Sequence, residues 1–179
     1  GVPGVVDGMV QIHEKFGTLP WDELIEPAIR LAKNGFVLKA EQAERIGWYQ
    51  DVFKEVNDYE IPLINEDGWQ KGDTLKLPVL ANTMQLIADS GRAGFYKGKT
   101  AAKIVAEMER GGGLITYEDL NKYKAKWREP LIGKYKDFTV ITMPPPSSGG
   151  IALLQMLQGA EQLNIEQYPH YSAKRIHAM

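Results

Sequence analysis

The sequence predicts a mainly α-helical fold of the α+β class with one small β-hairpin. Apolar residues recur at helical spacing through most of the chain, whereas a two-residue alternation is confined to residues 131–143. The composition, 44% hydrophobic and 25% charged, is typical of a globular domain that buries a core. No internal repeat or long linker divides the sequence, so residues 1–179 are expected to form a single domain.

The first two helices are predicted on either side of a short break. A helix over Val5–Phe16 ends at Gly17, and Thr18 is expected to cap the next one. Pro27 is expected to kink or restart that second helix. Its apolar stripe consists of Leu24, Ile25, Ala28, Leu31 and Ala32.

The middle of the chain predicts more helices and one loop. Ala40–Val56 has a looser helical pattern, and the Asn-, Asp-, Gly- and Pro-rich segment Asn57–Gly72 predicts an exposed loop. Helices are predicted from Pro78 to Gly91 and from about Thr100 to Gly111. Thr116 and Asp119 then have the spacing of a capping box that opens a short helix.

The pattern changes after residue 130. Leu131–Met143 predicts the hairpin, with Lys136-Asp137 as its turn. A buried helix is predicted over residues 150–164, and Ser172 is expected to cap a last helix.

The overall charge argues against several classes of partner. The 21 Lys+Arg and 23 Asp+Glu residues give a net charge of −2 without a basic cluster, so no nucleic-acid partner is expected. No apolar run reaches the roughly 20 residues of a membrane span. The absence of cysteine excludes disulfides, thiolate nucleophiles and Cys-ligated zinc within these residues.

The segment between the hairpin and the following helix is the one place where the sequence pattern indicates a binding or catalytic site. Ser147, Ser148, Gly149 and Gly150 collect hydroxyls and unhindered N–H groups at a helix start, which suits a carboxylate or an oxyanion. The alternative, which we favour, is structural: Pro144–Pro146 fix an extended approach, a serine caps the helix and the glycines allow close packing. The glycine spacing of a serine nucleophile elbow is missing, so no catalytic or substrate-binding residue is assigned.

The histidines and the glycine run of this chain are also interpreted as structural residues. His13, His170 and His177 lack the spacing of a metal site, so no metal is expected. The run Gly111–Gly113 lacks the Lys and Ser/Thr of a phosphate loop and predicts a helix end.

Several motifs follow one another along essentially the whole chain: Val2-Pro3-Gly4, Phe16-Gly17-Thr18-Leu19-Pro20-Trp21, Pro27-Ala28-Ile29-Arg30-Leu31-Ala32 with Gly35-Phe36, Phe95-Tyr96-Lys97-Gly98, Gly112-Gly113-Leu114-Ile115-Thr116 with Asp119-Leu120, and Met143 to Gly150 with Ile151. In this order they resemble the γ-glutamyltranspeptidase family. The resemblance implies an N-terminal-nucleophile hydrolase, whose precursor cleaves itself into a large and a small subunit around an αββα sandwich. Residues 1–179 would then be a single partial domain, the C-terminal part of the large subunit.

The resemblance also implies a mechanism. The N-terminal Thr of the small subunit attacks the γ-glutamyl carbonyl of glutathione with its own amine as base, and the acyl group passes to water, an amino acid or a peptide. No cofactor is required. The expected partners are the small subunit of the same precursor and a small γ-glutamyl substrate, and the family suggests a periplasmic or secreted location.

The family's nucleophile and substrate-clamping Arg are expected outside these residues, so this chain alone is expected to be inactive. None of the arginines here lies in the clamp motif: Arg30, Arg45, Arg92, Arg110, Arg128 and Arg175. Ser147–Gly150 is accordingly given a scaffolding role.

Two alternatives stay open at the level of sequence. One is a relative that acts on another amide, such as a cephalosporin side chain or a poly-γ-glutamate capsule. The other is a helical domain that binds a small anion at residues 147–150 without catalysis. The enzyme-portion hypothesis predicts exposed apolar surface where an αββα core would dock, whereas the binding domain predicts none.

Overall fold

The computed structural model describes all residues from Gly1 to Met179 and forms two compact units, Gly1–Ala125 and Lys126–Met179. The first unit contains α1 (Val5–Phe16), α2 (Trp21–Asn34), β1 (Phe36–Val37), α3 (Ala40–Gly47), α4 (Gln50–Val56), β2 (Thr74–Leu75), α5 (Pro78–Ser90), α6 (Ala93–Tyr96), α7 (Gly98–Gly111) and α8 (Tyr117–Lys122). The second contains β3 (Leu131–Tyr135), β4 (Phe138–Thr142), α9 (Gly149–Gln162), a 3₁₀ turn (Ile165–Gln167) and α10 (Ala173–Ala178).

The mainly helical prediction is confirmed, and its terminal signals act locally as expected. Pro78 occupies the first turn of α5. The Thr116 hydroxyl accepts a hydrogen bond from the Asp119 N–H at 3.2 Å, while the Asp119 carboxylate accepts from the Thr116 N–H at 2.9 Å. Ser172 caps α10 by accepting from the Arg175 N–H.

The start of α2 differs from the prediction. Pro20, not Thr18, is its N-cap residue, and no side chain caps the helix. The helix also runs through Pro27 without restarting. Proline removes one helical hydrogen bond there, and the continuous helix packs against α5.

The predicted hairpin is confirmed, but the expectation that it is the only β structure is wrong. β3 and β4 pair antiparallel with Tyr135 opposite Phe138, so Lys136-Asp137 forms the turn. A second antiparallel pair joins β1 to β2. Strands of two residues are too short to produce a recognisable alternation, which is why the sequence pattern missed them.

Two apolar clusters form the core of the first unit. One contains Tyr96, Ala101, Val105 and Leu120, and the other contains Leu38, Ala43 and Leu75. The segment predicted as an exposed loop partly covers the second cluster through Leu63 and Trp69. The Trp69 indole N–H donates to the Leu63 carbonyl at 2.8 Å, so this loop is folded onto the core.

In the second unit α9 packs on β3. A Cβ on Gly133 of β3 would lie 2.5 Å from the Leu154 side chain, so glycine allows this close approach. The prediction of a buried α9 is wrong, because only Gly150 in it is buried and Met156 is 65% exposed. No helix in the chain combines the length and the apolar character needed to cross a bilayer.

Candidate functional site

The turn at residues 147–150 joins the end of β4 to the start of α9. Ser148 is the N-cap residue of α9, but its hydroxyl makes no capping hydrogen bond. The expected serine cap is therefore absent, and the contacts here are made by backbone: the Ser147 N–H donates to the Pro144 carbonyl at 3.2 Å and the Ala152 N–H to the Ser148 carbonyl at 3.0 Å. Binding of an anion at this turn stays a prediction.

The two glycines of this turn are in different surroundings. A Cβ on Gly150 would lie 2.0 Å from the carbonyl oxygen of Met143, whereas a Cβ on Gly149 would meet only the Ser147 hydroxyl, at 3.6 Å. Gly150 is buried and Gly149 is exposed. Gly150 therefore lets the first turn of α9 lie directly against the backbone that follows β4.

The histidines and the glycine run are not brought together into a reactive group. His13 donates from Nε2 to the Leu19 carbonyl at 2.8 Å, and its ring lies 5.1 Å from that of Trp21. Gly112 has the left-handed conformation that ends α7, as predicted for a helix end. No three His, Asp or Glu side chains of the chain are placed to share a metal ion.

The most developed polar centre lies in the first unit, around the carboxylate of Asp7 on α1. The side chain is only 4% exposed and accepts three hydrogen bonds. Arg92 Nε donates to Oδ1 at 2.6 Å, while Gln11 Nε2 and the Ala125 N–H donate to Oδ2 at 2.7 and 2.6 Å. Each carboxylate oxygen is thereby satisfied, as a buried charge requires.

Arg92 also binds the backbone at the end of α8. Its NH2 group donates to the carbonyls of Asn121, at 3.1 Å, and Tyr123. The guanidinium also lies over the Tyr96 ring, 4.6 Å from its centre. One arginine thus ties α1, α6 and the end of α8 together.

Tyr96 completes this centre. Its hydroxyl donates to the Pro3 carbonyl at 2.6 Å and accepts from the Asp7 N–H at 3.4 Å, and its ring stacks on Tyr123 with 5.8 Å between ring centres. Burial raises the pKa of Tyr96, so the phenol remains the proton donor.

The charge state of Asp7 follows from two opposing effects. Burial raises its pKa, but hydrogen bonds from Ala125, Gln11 and Arg92, together with the charge of Arg92, outweigh burial and hold the pKa below the ordinary value of 3.8. The group is therefore an ionised, fully bonded carboxylate. Such a pair fixes structure, and the ionised carboxylate carries no proton to donate in general acid catalysis.

Sequence patterns do not predict this centre. Arg92 stands out only as an arginine outside the clamp motif that the family resemblance implies, and no motif gives Asp7 a role. One local signal was present: Asp7 interrupts the apolar residues of α1, with Gln11 one helical turn later. Partners 85 and 118 positions away, Arg92 and Ala125, leave no such signal.

Comparison with known proteins identifies the family, which the geometry of these residues does not. The family model described as Gamma-glutamyltranspeptidase matches residues 1–179. The glutathione hydrolase proenzyme of Escherichia coli (strain K12) is 38% identical over 181 residues, which cover 100% of this chain and 31% of that protein. The chain spans about a third of the length of the curated relatives it matches.

Solved structures show the same fold. The crystal structure of Helicobacter pylori gamma-glutamyltranspeptidase matches with a TM-score of 0.91 and 37% identity, covering 99% of this chain and 52% of that one. The transpeptidase enzyme CapD of Bacillus anthracis, in crystal form II, matches with a TM-score of 0.86 and 33% identity, covering 99% and 59%.

Proposed function

This chain belongs to the γ-glutamyltranspeptidase family, and on that premise we propose that it is the scaffold portion of an enzyme that transfers the γ-glutamyl group of glutathione, or of a related amide, to water, an amino acid or a peptide. The family match over residues 1–179 is the observation that carries this proposal. The partners would be the small subunit of the same precursor and the γ-glutamyl substrate, with the αββα sandwich completed outside this chain.

The nucleophile in this proposal is the N-terminal Thr of the small subunit. Its α-amine titrates near neutrality and can take the hydroxyl proton as the oxygen attacks the γ-glutamyl carbonyl. The amine of the leaving group departs with a proton, and water or an acceptor amine then opens the ester. No cofactor is needed for these steps.

The surroundings of the serines support a nucleophile elsewhere. The hydroxyls of Ser147 and Ser148 make no hydrogen bond to an imidazole, an amine or a carboxylate. A serine nucleophile needs such a base within hydrogen-bond reach. The role proposed for this turn is to hold α9 against the strand end.

The buried ion pair supports the scaffold role in the first unit. Asp7 and Arg92 are hydrogen-bonded to each other and to backbone groups, so they hold separate helices together. A rigid support of this kind positions catalytic groups carried by other segments.

The test compares the complete precursor that contains this chain with the 179-residue chain alone. Mass spectrometry is used to look for self-cleavage into two polypeptides, and chromophore release from a γ-glutamyl anilide measures activity. We expect activity only in the cleaved precursor. Activity of the isolated chain, abolished by Ser147→Ala or Ser148→Ala, would overturn the scaffold role.

A second candidate is a transpeptidase of a poly-γ-glutamate capsule. The likeness to CapD, at 33% identity over 99% of this chain, is the observation that favours it. Presenting the cleaved precursor with glutathione or with poly-γ-glutamate as donor separates the two, because the better donor identifies the substrate class.

A further inference from the structure

An open cavity of about 450 Å³ lies between α5 and α7 in the first unit. Val79, Asn82 and Leu86 line it from α5, and Lys99 and Lys103 line it from α7. No Asp or Glu belongs to its lining. Its volume falls in the range of about 300–1,000 Å³ that is usual for small-molecule sites. The cavity therefore has room for a small molecule, and its charged side chains are all positive.

The two lysines lie one helical turn apart on the same side of α7. Like charges at this spacing repel each other and destabilise a helix. Neither ammonium group forms an ion pair or a hydrogen bond within the chain. An anion bound by both Lys99 and Lys103 would relieve this repulsion.

The carboxylates of α7 do not neutralise these lysines. Lys99 has no Asp or Glu three or four positions away on the helix. Lys103 has only Glu107, one turn later. Both oxygens of Glu107 accept hydrogen bonds from Arg110, at 3.0 and 2.7 Å. The positive charge in the cavity therefore has no counter-ion on its own helix.

The neutral polar side chains of the cavity differ in whether their donors are already used. The Thr83 hydroxyl donates to the Val79 carbonyl at 3.2 Å, and the Thr100 hydroxyl donates to the Gly94 carbonyl at 2.8 Å. The Asn82 amide makes no hydrogen bond within the chain. The amide and the two ammonium groups thus remain available to a ligand.

We propose that this cavity binds a small dicarboxylate. Its two carboxylates would neutralise Lys99 and Lys103, and the Asn82 amide would donate to one of them. Val79 is 57% exposed, and with Leu86 it offers an apolar surface to the carbon chain between the carboxylates. A monocarboxylate would leave one ammonium group without a counter-ion, and inorganic phosphate would make no use of the apolar side chains.

Isothermal titration calorimetry of the complete precursor tests this site, with sodium succinate as the probe at constant ionic strength. We expect Lys99→Gln and Lys103→Gln each to weaken succinate binding at least about tenfold, because each removes a charge-assisted hydrogen bond. Lys33→Gln is the matched control, because Lys33 is an exposed lysine of α2 that does not line the cavity. Its succinate affinity should stay within about twofold of the parent value.

The other outcomes contradict the site. Absence of succinate binding in the parent, or unchanged binding in both cavity variants, would overturn the proposal. Equal affinity for sodium acetate, or tighter binding of inorganic phosphate, would show that a dicarboxylate is not what the cavity recognises. Binding is measured directly, so the result does not depend on turnover. Succinate binding in a cleaved precursor that releases no chromophore from the γ-glutamyl anilide would contradict the proposed function alone.

Discussion

The Asp7 centre and the turn at residues 147–150 fix helices in opposite ways. Asp7 is held by side-chain and backbone donors up to 118 positions away, and every contact depends on charge or hydrogen bonding. The turn is held by backbone within a few residues, and Gly150 contributes by lacking a side chain. The turn can be recognised from its own residues in the sequence. The Asp7 centre cannot, although it contains more side-chain hydrogen bonds and charged contacts than the turn does.

The largest expected effect comes from Asp7→Asn. All three neighbours of the carboxylate are donors, so the amide NH₂ would face another donor and Arg92 would lose its counter-ion. Removing one partner of a buried pair costs about 3 kcal/mol. Urea denaturation of the purified protein checks the loss, and hydrogen exchange should show weaker protection in α1 and α8.

The control is Glu26→Gln, which breaks an exposed pair with Arg30 on α2. Exposed pairs one turn apart contribute about 0.3–0.5 kcal/mol. If Asp7→Asn costs no more than Glu26→Gln, the Asp7 centre does not hold the helices.

The same centre predicts an acid sensitivity. The pKa of Asp7 is lower in the folded protein than its ordinary 3.8, so the stabilisation is fully present above that value and is lost as the pH falls through the lower folded-state pKa. The stability gap between the parent and Asp7→Asn should be constant above about pH 5 and should narrow as the pH falls below 3.8. Urea midpoints across that range measure it, and a constant gap at every pH would contradict the assignment.

Gly150→Ala tests the turn. The new methyl group would lie 2.0 Å from the Met143 carbonyl, so backbone must move, and we expect a loss of about 2 kcal/mol in denaturation experiments. Gly149→Ala is the matched control, because its methyl group meets only the Ser147 hydroxyl at 3.6 Å and alanine favours the helix. Equal effects of the two substitutions would argue against close packing at Gly150.

The smallest effects distinguish a working cap from a serine that only occupies the cap position. Thr116→Ala removes a hydroxyl that accepts from Asp119 and should cost about 1 kcal/mol. Ser148→Ala removes a hydroxyl without a capping hydrogen bond and should cost close to nothing. A loss of similar size at Ser148 would reinstate the serine cap that the sequence predicts. Thermal unfolding of both variants provides the comparison.

Features that depend on residues close together in the sequence could be predicted, whereas features that depend on contacts between distant segments could not. α1, α5, α7, the hairpin and the capping box at Thr116 come from signals within a few residues, and the structure has them where they were expected. The β1–β2 pair and the fold of the 57–72 loop onto Leu38 depend on contacts between distant segments. Propensity and periodicity do not encode such contacts.

The same difference between local and long-range contacts separates the turn at residues 147–150 from the Asp7 centre. Proline, serine and glycine in one run identify residues 147–150 as a special turn, but not whether Ser148 caps α9. For Asp7 the sequence offers a charge on an apolar helix and nothing about its partner. Arg92 is 85 positions away, and several other arginines could have taken its place.

The most direct test of the scaffold account is γ-glutamyl anilide turnover by the complete precursor with Ser147 and Ser148 both replaced by alanine. The account predicts normal self-cleavage and a kcat/KM within about twofold of the parent, because it places neither hydroxyl in contact with the reacting atoms. Loss of turnover in a correctly folded, self-cleaved protein would contradict it and would make this turn part of the active site.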